Sequence, residues 1–361
     1  MKHQRGGGIN KEKKALCFDD ILLVPQYGNI KSRHEVNLSR SIGFNKRKID
    51  LSLPIIASPM DTVCDTEMCA AMAKAGGLGI LHRYMPYPDQ IVKAQNLISQ
   101  GASFGVALAS NNGYLAQADN LYNIGVRLFL IDTANGHGAN AIDAVSQLRN
   151  CFSDAHIMAG NVATVEGFYR LAEAGADSVR VGIGGGSACT TRLVSGHGVP
   201  TLASILDISD FIKKNIISMI KKNINCSIIA DGGIRNSGDM VKAFAAGADA
   251  VMVGSMLAGT DKSPGEIITD IYDNKVKTFR GMASAAAQLD GTGKISVVEG
   301  ISTTIPYKGS VIDILKQIKD GVGSGCSYSG VDSLLDLYSK SEYVMVNPSS
   351  INESKPHALQ Y

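Results

Sequence analysis

The segment Val181-Gly-Ile-Gly-Gly-Gly-Ser-Ala-Cys-Thr-Thr-Arg192 sets a cysteine just behind four glycines. A deprotonated cysteine is a strong nucleophile, and backbone N–H dipoles or a nearby cation such as Arg192 stabilise the thiolate. Glycine lets main chain approach a ligand closely and adopt positive φ. The spacing is not the Gly-x-Gly-x-x-Gly of a dinucleotide fold, and no Gly-Lys-Ser/Thr follows as in a P-loop. The pattern therefore offers carbonyls and amides beside a sulfur. A tight turn around a buried cysteine would use the same residues.

A second pair of segments carries Ile229-Ala-Asp-Gly-Gly-Ile234 and Val253-Gly-Ser-Met256. Glycine and serine amides suit a phosphate, and Asp231 suits a ribose diol. Ordinary turn chemistry accounts for either segment alone.

These residues lie at the ends of short apolar runs. Eight candidate strands are read at Pro54–Ser58, Gly77–Leu81, Phe104–Ala107, Leu128–Asp132, His156–Asn161, Ser178–Gly182, Ser227–Asp231 and Ala250–Gly254. Helical spacing fills many of the intervals, at Met68–Ala75, Asp89–Ser99, Gly113–Ile124, Ala139–Arg149, Val165–Ala174 and Gly238–Ala246. Near-continuous apolar strands alternating with amphipathic helices predict a helix-covered parallel sheet. Eight such units predict a (β/α)₈ TIM barrel, an α/β fold, with a doubly wound sheet as the competitor. Polar residues end several strands: Ser58-Pro-Met-Asp61, His82-Arg83, Asp132, Asn161, Asp231 and Ser255. In a barrel those ends form the active face, although any one such residue could be a helix cap.

Single barrels commonly reach this length, so residues 1–361 are read as one catalytic domain. Residues 1–14 are read as a flexible basic N-terminus, 278–304 as a Gly/Ala/Ser-rich active-site flap, and 347–361 as an extended C-terminal arm. A formal net charge of +2 gives no reason to invoke nucleic acid or an anionic membrane. Neither a signal peptide nor a membrane span is legible. Seven irregularly spaced cysteines without Cys-x-x-Cys argue against a disulfide framework and for a reducing, cytoplasmic setting.

Several motifs together resemble one family. Phe18-Asp-Asp-Ile-Leu-Leu-Val-Pro25, Pro59-Met-Asp-Thr-Val63, Asp132-Thr-Ala-Asn-Gly136, Ala159-Gly-Asn161, the Gly182–Arg192 loop, Ala230-Asp-Gly-Gly-Ile-Arg235 and Gly281-Met282 occur in the order of the IMP dehydrogenase / GMP reductase family. The resemblance implies a homotetramer of barrels acting on a purine nucleoside monophosphate (GMP or IMP), with a nicotinamide cofactor and a monovalent cation such as K⁺. It implies that Cys189 attacks C2 of the base and that Thr191 and Glu299 relay a proton. Asp231, Gly232, Gly233, Gly254, Ser255 and Ser187 resemble the ribose and phosphate cradle. Ser58 and Met60 resemble base and ribose contacts. Asp132 and Asn161 face base and nicotinamide, Arg83 joins the catalytic set, and Gly281, Met282 and Gly300 border the substrate at the flap. Carbonyls of Gly184, Gly186 and Cys189 resemble the cation site.

Between the family's two reactions, the features resemble the reductase, with NADPH as cofactor. The dehydrogenase, with NAD, is the alternative, and a non-catalytic nucleotide-binding relative is a third reading. His82-Arg-Tyr84 runs through one helix to Phe104, leaving no room for the CBS modules that dehydrogenases usually carry. The flap between Met282 and Glu299 contains no Arg and no Tyr, whereas the dehydrogenase flap uses such a pair to activate water. Leu81-His-Arg-Tyr84, Val298-Glu-Gly300 and Pro306-Tyr-Lys-Gly309 also resemble reductases. Against this, Asn352-Glu-Ser-Lys-Pro-His357 resembles a dehydrogenase tail, Gly185 replaces the usual proline, and 285–288, Ser296 and Val298 depart from many reductases.

Overall fold

The computed structural model describes residues 14–111, 113–347 and 349–354. Eight parallel strands close into a barrel: β1 (Ile55–Ala57), β2 (Leu78–Leu81), β3 (Phe104–Leu108), β4 (Leu128–Asp132), β5 (His156–Val162), β6 (Ser178–Val181), β7 (Ser227–Asp231) and β8 (Ala250–Val253). β8 pairs back onto β1, with Val253 opposite Ala57. All eight expected strands are present, and the fold is a (β/α)₈ barrel.

Each strand is buried on both faces, which is why it reads as a continuous apolar run. Alternate residues Ile56, Leu78, Ile80, Leu128, Leu130, Met158, Ile229 and Met252 fill the interior. Their neighbours Ile55, Leu81, Val106, Phe129, Ile157 and Val251 pack outward against the helices. A hairpin of Arg40–Ile42 and Ile49–Leu51 closes the N-terminal end by pushing Ile42 and Leu51 into the interior layer.

The outer helices are α1 (Thr66–Lys74), α2 (Tyr87–Ser99), α3 (Tyr114–Asn123), α4 (Ala139–Cys151), α5 (Val165–Glu173), α6 (Thr201–Lys221) and α7 (Ser237–Ala245). A single helix, α2, joins β2 to β3. Gly125, Gly175 and Gly247 end α3, α5 and α7 at φ of 116°, 109° and 109°, a left-handed step that turns each chain into the next strand. Helix caps come from Asp65, Thr164 and Asn236, and the other strands' polar ends are not spent on capping. Asp132, Asn161 and Asp231 are thereby left to face the C-terminal mouth.

Residues 278–304, expected as a flap, hold regular elements. β10 (Lys275–Arg280) pairs with β9 (Ile268–Thr269) and β11 (Ser302–Pro306), and helix α8 (Ala285–Thr292) lies between β10 and β11. Small residues hid this order, because strands and a short helix half-exposed on a flap need few large apolar side chains. Within the C-terminal arm, read as extended, Ser349–Glu353 forms a short helix. Most of the N-terminal segment 1–14, and 355–361 of the arm, lie outside the described residues. The strand Tyr343–Met345, ahead of the arm, pairs with Ile21–Leu23. Helix α9 (Val311–Tyr328) follows the flap.

At the closed end, His156 is buried. Its Nδ1 lies 2.8 Å from the Arg47 carbonyl and its Nε2 lies 2.8 Å from Ser178 Oγ. This places the proton on Nδ1 and leaves Nε2 to accept from the hydroxyl. Burial pushes the imidazole pKa down, which also favours the neutral form. The unfolded chain, with its histidine near pKa ~6.5, takes up a proton first as pH falls. His156 therefore stabilises the fold above that pH and the contribution is lost below it. Urea unfolding between pH 7 and 5 is expected to show falling stability, with a flatter profile in His156→Gln. Equal slopes would rule out His156 as the cause.

Candidate active site

The strand ends, the glycine loops and the flap enclose a cavity of about 820 Å³ at the C-terminal mouth. Its floor is an ion network. Arg180, on β6, donates through Nη1 to Asp132 Oδ1 at 2.6 Å and through Nη2 to Asp231 Oδ2 at 2.8 Å. Arg83 donates from Nε to the other oxygen of Asp132 at 3.1 Å. Asn161 Nδ2 donates to Asp231 Oδ2 at 2.7 Å and to the Gly182 carbonyl at 2.8 Å. Burial alone would raise the Asp132 carboxyl, but Arg180 and Arg83 outweigh it and hold it below its ordinary value. Asp132 is thus a fixed anion and Arg180 a fixed cation.

Sequence reasoning did not single out Arg180. A lone Arg inside an apolar strand, Ser178-Val-Arg-Val181, was the available signal, because a charge there must meet a partner. Tyr84 was also missed as a site residue. It lines the cavity beside Arg83, whose guanidinium lies 4.4 Å from its ring centroid. Burial pushes its phenol up, so it stays protonated.

The cysteine loop lies directly on the Asp231 loop. A Cβ at Gly182 would fall 1.8 Å from the Asp231 carbonyl, and one at Gly185 would press on Gly232 and Gly233. Gly232 and Gly233 have φ of 85° and 78°, so side chains are barred by space and by backbone conformation. Phe18 and Asp19 brace the loop from outside, Asp19 through Arg235 at 3.0 Å. Gly254 packs near Met60 and Ser58.

Cys189 Sγ lies 3.2 Å from Thr191 Oγ1, and Thr191 Oγ1 donates to Glu299 Oε2 at 2.7 Å. Main chain locks this line in place: Thr190 N donates to the Glu299 carbonyl at 2.9 Å and Ile301 N to the Ala188 carbonyl at 3.0 Å. Gly281 and Gly300, at the two ends of the flap, both approach that Ala188 carbonyl, where a Cβ would fall 2.7 and 3.1 Å away. Gln288 staples the flap together, donating to the Ala283 and Val297 carbonyls and accepting from Ser296 N at 2.7 Å. Arg280 ties it to the barrel through Asp61 and reaches Asp290 at 2.6 Å.

Cys189 is the half-buried cysteine at the cavity. Burial pushes the thiols of Cys69 and Cys226 well up and that of Cys326 to about 12, so those three are apolar filler at neutral pH. Arg192, the cation expected near the sulfur, donates from Nη2 to the Val199 carbonyl at 3.1 Å.

The cavity wall includes Ser58, Met60, Arg83, Asp132, Asn161, Gly184, Gly186, Ser187, Cys189, Thr191, Asp231, Gly232, Gly233, Gly254, Ser255, Gly281, Met282 and Glu299. Gly300 sits behind this wall. For a monovalent cation, the Gly184, Gly186 and Cys189 carbonyls share one loop. The Gly186 carbonyl accepts Cys189 N at 3.1 Å and keeps a second lone pair.

A family model described as "IMP dehydrogenase / GMP reductase domain" matches residues 15–357. Inosine-5'-monophosphate dehydrogenase of Cryptosporidium parvum is 35% identical, with 98% of this chain and 97% of that protein covered. The enzyme of the same name from Nitrosopumilus maritimus is 30% identical, with 96% and 98% covered. That alignment spans 481 positions, more than this chain has residues, so the relative carries residues absent here. A crystal structure of a Cys-to-Ala variant of GMP reductase from Trypanosoma brucei, in complex with guanosine 5'-monophosphate, superposes with a TM-score of 0.88 at 27% identity, covering 97% of this chain and 99% of that one.

Removing Arg180 leaves two carboxylates facing one another without their shared cation. Arg180→Met is expected to cost about 3–5 kcal/mol in denaturant unfolding. A loss within error of zero would show that the network does not organise the floor.

Proposed function

Since the chain belongs to the IMP dehydrogenase / GMP reductase family, we propose that it is a GMP reductase, converting GMP to IMP and ammonia with NADPH. Membership makes it an oxidoreductase of purine nucleotides. The observation that carries the covalent mechanism is the Cys189–Thr191–Glu299 line beneath the closed flap. The flap's composition supports the reductase direction. Residues 283–298 contain no Arg and no Tyr, and Asp290, its one carboxylate, is held by Arg280. Between Met282 and Glu299 there is no Arg–Tyr pair to activate a hydrolytic water, and Glu299 itself is engaged with Thr191.

Gly232, Gly233, Gly254, Ser255 and Ser187 would hold the phosphate and Asp231 the ribose, with Ser58 and Met60 against the nucleoside. The Cys189 thiolate forms a bond to C2 of guanine. The C2–N bond then breaks and the nitrogen leaves as ammonia, protonated from Glu299 through Thr191 Oγ1. A thioimidate joins Cys189 to the base. A reduced nicotinamide dinucleotide, when bound, supplies the hydride that C2 needs, in the part of the cavity bordered by Asp132, Arg83 and Tyr84. The C–S bond then breaks, the thiolate is restored and IMP is released. Fixed charges on the floor need no reorganisation as charge develops. A K⁺ ion on the loop carbonyls would hold Cys189 in register.

The dehydrogenase direction is the second reading, favoured by the printed names of the relatives at 30–35% identity. It runs through the same thioimidate, with hydride leaving first and water attacking next. The family resemblance supports a homotetramer. Seven free cysteines support a reducing, cytoplasmic compartment. Among the described residues, no helix is long and apolar enough to cross a membrane.

Two assays test the reading. With GMP and NADPH, absorbance of the reduced cofactor is expected to fall with stoichiometric ammonia; IMP with NAD is expected to give little turnover. The reverse pattern would assign the dehydrogenase, and inertness in both with tight nucleotide binding would leave a binding protein. Cys189→Ala is expected to abolish turnover while GMP still binds. Thr191→Val is expected to lower kcat by about 10²–10⁴-fold if it carries the proton. Near wild-type rates in Cys189→Ala would remove the covalent mechanism.

A further inference from the structure

The loop after β8 carries Gly254 and Ser255, and a lysine outside the cavity holds it from behind. Leu257 N and Ala258 N both donate to the Gly254 carbonyl at 3.0 Å, closing a single turn. That turn leaves the Ser255 and Met256 carbonyls without main-chain donors from within it. Lys308 Nζ supplies them, contacting the Ser255 carbonyl closely and the Met256 carbonyl at 3.4 Å.

Lys308 is delivered by the flap stem, just beyond β11. Its own N–H donates to the Gly259 carbonyl at 2.8 Å, and Asp261 N donates to the Gly309 carbonyl at 2.8 Å. Asp261 Oδ1 accepts Val311 N at 2.8 Å. Gly259 has φ of 78°, and a Cβ there would fall 2.7 Å from the Pro306 carbonyl. Stem and loop thus meet main chain to main chain. Lys277, buried on β10, makes a parallel contact by donating to the Thr260 and Ser263 carbonyls.

Among the described residues no carboxylate pairs with Lys308, and burial of its ammonium pushes its pKa down. The charge therefore acts on the loop itself. An ammonium on one side of a peptide plane fixes its carbonyl and polarises its amide, strengthening that amide as a donor on the other side. Here the Ser255 carbonyl shares its plane with Met256 N–H, which adjoins the Gly254–Ser255 cradle assigned to the nucleotide's phosphate. The Met256 carbonyl shares its plane with Leu257 N–H, which closes the turn onto the Gly254 carbonyl.

We propose that Lys308 is a positioning residue for the nucleotide's 5′-phosphate dianion: from the flap stem it orients the Ser255–Leu257 peptides that back the Gly254–Ser255 cradle and adds an uncompensated positive charge behind them. Phosphate affinity and seating of the flap stem are thereby one event. The inference rests on the nucleotide-binding reading above, whichever direction the reaction runs.

The test compares wild type, K308R and K308Q as full-length proteins. Calorimetry gives the dissociation constants of GMP and IMP, steady-state assays give KM for nucleotide and for dinucleotide, and urea midpoints report folding. Lys308 is exposed along its stem, so both variants are expected to keep the wild-type midpoint. K308Q is expected to weaken nucleotide binding about tenfold or more, from the loss of one charged partner. K308R is expected to stay close to wild type, and KM for the dinucleotide to be unchanged in both. Wild-type nucleotide affinity in K308Q would overturn the proposal. So would equal losses in K308R and K308Q, or a parallel rise of both KM values with a lowered urea midpoint. If wild type itself binds neither GMP nor IMP, the functional reading fails before the Lys308 comparison is made.

Discussion

A buried guanidinium between two carboxylates organises the mouth of this barrel. Arg180 projects from β6 into a space lined by other strand ends, where an unpaired charge would cost several kcal/mol. Asp132 from β4 and Asp231 from β7 meet it, Arg83 from the end of β2 satisfies the other side of Asp132, and Asn161 from β5 completes Asp231. Five strand ends are thereby held in one arrangement. The four charged groups sum to zero, so the floor is polar and rigid without attracting or repelling a ligand by net charge.

Above that floor, packing depends on what glycine leaves out. The cysteine loop can lie against the Asp231 loop only because neither carries Cβ atoms at the contact. The same holds at both ends of the flap, where Gly281 and Gly300 press on the Ala188 carbonyl. Cys189 is therefore fixed from below by the Asp231 loop and from above by the flap, and its line to Thr191 and Glu299 follows from main-chain bonds. Arg192 braces the turn at Val199.

The family's two reactions share this floor, this sulfur and the same covalent state. They diverge in what reaches that state, water or hydride, and the flap governs access. Here the flap is a small sheet and a helix stapled by Gln288 and tied to the barrel through Arg280 and Asp61. Its side chains between Met282 and Glu299 are mostly small, and Asp290 among them is paired with Arg280. A lid segment that lacks an Arg–Tyr pair is the ground on which reduction is proposed.

The sequence by itself determined the eight strands, their helices and the roster of residues at the mouth, because apolar periodicity and glycine-closed helix ends are local properties. Its motif order carried the family. It did not decide whether Asp132, Asn161 and Asp231 were helix caps or site residues. Only the structure separated these, by giving the caps to other residues such as Asp65, Thr164 and Asn236. Nor did it show Arg180 as the hub, Tyr84 in the wall, or order within residues 278–304. A hub is defined by partners as much as 51 residues away along the chain, and a flap of small residues gains its order from the surface it covers, so both belong to tertiary structure alone.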